Sequence, residues 1–130
     1  MLLAISVAIF NIAIKEIRLS AAARESQFAF YAADTGIECA LYWDIQQNGF
    51  DPLGTVSPTI DCLGGPISVT STGGFSTSTF RIDLAPEPYC ADVSVGKHNN
   101  PRLTLIEARG YNTCATGDPR RVERAIRASY

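Results

Sequence analysis

The chain is poor in the residues from which active sites are usually built. Its 130 residues include one histidine, His98, and four cysteines with no C-x-x-C pair among them, which argues against a zinc site of the close-spaced kind. No serine or cysteine stands in a strained nucleophile motif around His98, which lies in "GKHNNP", a turn composition. Charge of one sign is not in excess either: 11 Lys and Arg against 13 Asp and Glu leave a net charge of −2. Bulk electrostatics therefore point neither to nucleic acid nor to a strongly acidic partner. Residues 1–47 hold no proline and a single glycine, Gly36, so nothing in that stretch breaks a helix.

The first fourteen residues, "MLLAISVAIFNIAI", carry no charge, and Lys15 ends the run. The run is shorter than the roughly 20 apolar residues of a membrane span, and no basic region precedes it as in a secretory signal. It reads as the C-terminal part of a longer membrane helix whose beginning lies upstream, with a buried core helix as the alternative. A helix over residues 1–47 would extend about 70 Å at 1.5 Å per residue. That is too long to lie along a domain of the remaining eighty or so residues, so part of it must protrude.

Within that helix Ala22, Ala29, Ala33, Gly36 and Ala40 recur near multiples of 3.6, a small-residue stripe that permits close backbone approach by another element, and by another helix if the chain packs helix to helix. Phe30, Ile37, Leu41 and Ile45 follow the same period on a neighbouring face and read as the side that packs on the globular part. Asp34 and Glu38 are like charges at i, i+4, expected to solvate a helix face or to meet basic residues of a neighbour. At "NGFDP" (48–52) the helix should stop, with Asn48 and Gly49 in left-handed conformation.

Beyond that stop the chain reads as β structure: "ISVTST" (67–72) and "TFRIDL" (79–84) as a hairpin across Gly73 and Gly74, then "ADVSV" (91–95), "LTLIEARGY" (103–111) and "RVERAIRASY" (121–130). Phe80, Ile82 and Leu84 share one face, and Val93 and Val95 point inward. The last two strands pair antiparallel across the Cys114 loop. Which face of the 103–111 strand is buried stays open, since both alternations mix apolar and polar residues. An even number of dispersed cysteines suggests two disulfides formed in an oxidising compartment. Of the three possible pairings the sequential one is favoured, Cys39 with Cys62 and Cys90 with Cys114, each closing a loop of some two dozen residues that is worth roughly 3 kcal/mol.

Three site readings compete. His98 as a general base would make a small exported hydrolase. Arg120, Arg121, Arg124 and Arg127 would suit phosphates, but Asp118 and Glu123 dilute them and no aromatic platform interleaves. The Ser and Thr of "STGGFSTSTF" (71–80) would accept O-linked sugar or simply solvate a hairpin. None of these supplies pocket chemistry.

The stretch "SAAARESQFAFYAADTGIECALYWD" (20–44) resembles the N-terminal helix of type IV pilin-like proteins, in particular minor pilins with a PilX-type N-terminal region. The endings "IEARGYNTC" and "RRVERAIRASY" are similar to the C-terminal hairpin of such proteins. The resemblance implies an α+β fold in which a long protruding N-terminal helix packs against a C-terminal antiparallel sheet, with residues 1–28 as membrane and filament-core segment and 29–130 as the head. It implies a structural subunit, a minor pilin or pseudopilin, that is not an enzyme and takes no cofactor, metal or small-molecule substrate. Its partners would be other pilin subunits through the N-terminal helix, and the cytoplasmic membrane before assembly; its destination would be a filament at the cell surface. A membrane-anchored binding or adhesion module that never polymerises is the alternative.

Overall fold

Alanine-rich sequence without proline or an early glycine cluster gives one helix, α1 (Leu2–Ile45), of 44 residues. In this computed structural model, residues 2–51, 56–72, 76–99 and 102–130 are described, without the side chains of residues 2 and 76. The proposed Gly73–Gly74 connection lies outside the described residues. Beyond α1 the chain is all β: β1 (Thr59–Cys62), β2 (Gly65–Ser68), β3 (Thr70–Thr72), β4 (Ser76–Asp83), β5 (Cys90–Asn99), β6 (Arg102–Tyr111) and β7 (Glu123–Ser129). β1 and β2 form a two-stranded ribbon, and β3-β4-β5-β6-β7 form a five-stranded antiparallel meander in chain order. The layout is α+β, with α1 laid across β5, β6 and β7.

The helix ends where expected, although only Asn48 takes the left-handed conformation (φ 50°), and the Gly49 N–H returns to the Trp43 carbonyl at 2.8 Å. The segment 67–72 is not one strand of a hairpin. It is split between β2, which pairs with β1, and β3, which pairs with β4. His98 belongs to β5, opposite Leu103, and not to a turn. The ambiguity of the 103–111 strand resolves toward its smaller alternation: Thr104, Ile106, Ala108 and Gly110 face the helix, while Leu103, Leu105, Glu107 and Arg109 face away.

That choice is dictated by the helix. Ala29, Ala32, Ala33 and Ala40 have no exposed surface, and Gly36 is buried with them against the chain's own sheet. A Cβ on Gly36 would lie 2.9 Å from Val93 Cγ2 and 3.2 Å from the Ala91 Cβ. A Cβ on Gly110 would land on the Ala29 carbonyl oxygen and the Ala33 nitrogen. Small residues on both partners thus bring backbone almost onto backbone. This corrects the expectation that the stripe meets another helix: Ala29, Ala33, Gly36 and Ala40 are taken up inside the head, and only Ala22 is exposed. The bulky row is corrected with it. Ile37 is buried and Leu41 half-buried, but Phe30 and Ile45 are 48% and 60% exposed, because bulky side chains at the contact would hold the helix off the sheet.

The core is the layer between α1 and the sheet, made of Ile37, Phe80, Ile82, Val93, Val95, Ile106 and Ala108, and closed at one end by Phe50 and Ile60. Phe50 stacks on Phe80 with ring centroids 6.1 Å apart. Two disulfides staple this body, Cys39–Cys62 between α1 and β1 and Cys90–Cys114 between β5 and the loop before β7, with Cα separations of 6.1 and 5.6 Å.

Candidate functional site

The first half of α1 is exposed along almost its whole length. Leu3, Ile5, Val7, Ile9, Phe10, Ile12, Ile17 and Leu19 are each between 57% and 83% exposed. They lie all round the helix: Leu3, Val7 and Phe10 follow one row, Ile5, Ile9 and Ile12 the opposite one. A helix apolar on every side has no water-facing stripe and belongs in an apolar surrounding. No helix among the described residues is long and apolar enough to cross a membrane; the charges of Lys15, Glu16 and Arg18 interrupt the apolar window.

The head takes hold at Glu25, four residues before the expected boundary. The buried Asn112, just past β6, donates to Glu25 Oε2 at 2.7 Å and to the Arg120 carbonyl at 3.0 Å, and accepts from the Val122 N–H at 2.6 Å. One side chain therefore orders the turn into β7 and pins α1 at its exit. Beside it Arg124 Nε donates to Ser26 Oγ at 2.8 Å, and Phe28 stacks on Tyr89 at 4.7 Å.

At the other end of α1, Asp44 is separated from Asp34 and Glu38. Its side chain, 2% exposed, receives Lys97 Nζ of β5 at 2.7 Å and the Tyr130 hydroxyl beyond β7 on the same oxygen, Oδ2. Oδ1 is buried without a hydrogen-bond partner among the described residues. Burial, reinforced by the Asp44 carboxylate, raises the Tyr130 phenol well above its ordinary value, so it stays a donor. Lys97 and Tyr130 line a polar cleft of about 500 Å³ with His98, Thr104 and Arg102, in which no serine or cysteine faces His98 among the described residues.

The sheet face away from α1 is a lattice of alternating charge. Arg81 bridges Asp83 and Asp92 at 3.1 and 3.7 Å, and Glu107 accepts from Arg109 and Arg127, each at 2.5 Å. These two hydrogen bonds, the Arg109 one foremost, hold the Glu107 carboxyl below its ordinary value. The four arginines of residues 120–127 do not gather into a basic patch. Arg121 lies 3.7 Å over the Tyr111 ring, Arg124 points to the helix side, Arg127 to the outer side, and Arg120 sits near Asp118 at 3.8 Å. The cluster of Asp83, Cys90 and Cys114 brings ligand atoms together, but its two sulfurs are joined to each other.

Comparison of the chain with protein-family models, with curated proteins and with solved structures gives no match. Sequence reasoning missed the Asp44–Lys97–Tyr130 cluster, the Asn112 latch and the role of Gly110. Only the last had a local signal: an isolated glycine inside an apolar strand marks a close backbone approach. The other two join residues 53 to 87 positions apart.

Proposed function

We propose that the chain is a non-enzymatic structural subunit of a type IV pilin-like filament, a minor pilin or pseudopilin. The observation that carries this reading is the free half of α1, eight large apolar side chains in solvent on a helix whose other half is locked to a disulfide-stapled head. Such a stem gains by burial, at about 25 cal/mol per Å² of apolar surface, first in lipid and then among neighbouring stems. The two disulfides suit passage to an oxidising compartment, with residence in the cytoplasmic membrane before assembly and at the cell surface afterwards. This role requires neither a cofactor nor a small-molecule substrate.

The rival is a membrane-anchored binding module that stays monomeric, and shearing separates the two. In the organism that makes it, an epitope-tagged chain is expected in the filament fraction sheared from the cell surface. Recovery of all the tag with the cytoplasmic membrane, while sheared filaments carry none, would overturn the filament reading and favour the anchor.

A further inference from the structure

With the alanine stripe used inside the head, the surface left for a neighbouring stem is the opposite side of α1. Gln27, Tyr31, Asp34, Glu38, Tyr42 and Ile45 recur there at spacings of three and four, and Tyr31, Tyr42 and Ile45 are 59%, 53% and 60% exposed. Asp34 and Glu38 repel at i, i+4 and take part in none of the ion pairs among the described residues. On the free half, the row Leu3, Val7, Phe10, Ile14, Arg18 and Ala22 again runs at threes and fours, and the buried Ala29 lies two turns further along the same side. Lys15 and Arg18 on that side are exposed and enter no ion pair either, while Glu16 lies about 200° from Arg18 around the helix.

We propose that the free half of α1 seats on the outward face of α1 in a second copy of this chain, parallel and shifted by about twenty residues, with Arg18 opposite Glu38. The inference rests on the filament reading and specifies its contact. Two independent facts set the shift. The head grips α1 from Glu25 to its end at Ile45, about 30 Å at 1.5 Å per residue, so this displacement carries one gripped segment just past the end of the other along the helix axis. The same displacement sets Val7 on Gln27, Phe10 between Phe30 and Tyr31, Lys15 beside Asp34, Arg18 on Glu38 and Ala22 under Tyr42. Two bare acids thereby meet two bare bases, and the smallest stem residue meets a large ring. Because the donor and acceptor faces differ, each copy leaves its own outward face open for the next, and the contact propagates without closing.

The test is a charge exchange in the full chain, dispersed in mild detergent and assembled by detergent dilution, with sedimentation as the readout. Arg18→Glu and Glu38→Arg should each lower assembly at least tenfold, and the double variant carrying both should recover most of it. Both positions are exposed, so the head's thermal melt should not move. Single variants that assemble as the parent does would overturn the register and leave the filament reading standing. A parent chain that stays monomeric throughout would overturn the contact between copies, while the filament reading would still stand or fall on the sheared fraction.

Discussion

Two glycines illustrate how much a single hydrogen atom decides in this protein. At Gly110 the missing side chain is replaced by helix backbone, which has no rotamer to give, whereas at Gly36 the nearest atom is the tip of Val93. Gly110→Ala must therefore push α1 off β6 and is expected to destabilise the head by at least about 3 kcal/mol, the upper range for overpacking. Gly36→Ala should cost clearly less, about 1–2 kcal/mol, because alanine's helix preference of about 1 kcal/mol offsets part of the shift that Val93 and the Ala91 Cβ must make. Chemical denaturation of both variants checks the contrast, and equal losses would contradict it. This asymmetry was half legible in the sequence: the run Ala29, Ala33, Gly36, Ala40 announces close packing, but nothing in its spacing says whether the partner is another helix or the chain's own sheet.

At the scale of elements, α1 is held at three stations: Glu25 on Asn112, Cys39 on Cys62, and Asp44 on Lys97 and Tyr130. The last ties the helix end to β5 and to the end of β7 through one buried carboxylate that already has an unsatisfied oxygen. Lys97→Met removes the only cation paired with that carboxylate among the described residues. A cost of about 3–5 kcal/mol is expected, the usual penalty for leaving a buried charge uncompensated, read as a lowered denaturation midpoint at neutral pH. An unchanged midpoint would show that water, and not Lys97, balances Asp44. The inward faces of β4 and β5 were readable because Phe80, Ile82, Val93 and Val95 alternate cleanly, whereas β6 was readable as a strand but not as to which face it buries. β1 was not, since four residues after a proline carry too little pattern, and the 67–72 segment misled because its alternation persists across the break between two sheets.

The whole molecule divides by exposure into a solvent-facing stem and a head whose core, among the described residues, includes none of the stem's side chains. A chain lacking residues 1–23 is expected to keep both disulfides, melt within a few degrees of the parent, and remain monomeric without detergent. Loss of cooperative unfolding in that shortened chain would show that the stem takes part in folding. The protruding length was legible from the absence of helix breakers; the place where the head takes hold was not, because Glu25, Ser26 and Phe28 are gripped by residues from a distant loop and strand. The same stations have a mechanical meaning. A pull along the stem reaches the head at Glu25 and Ser26, whose hydrogen bonds can give way, and then meets Cys39, which passes the load to β1 through a covalent bond. Beyond that point the chain from Cys39 to Cys62, a sequence separation of 23, cannot be let out, so roughly 80 Å of it, at about 3.4 Å per residue, stays withheld from extension under tension.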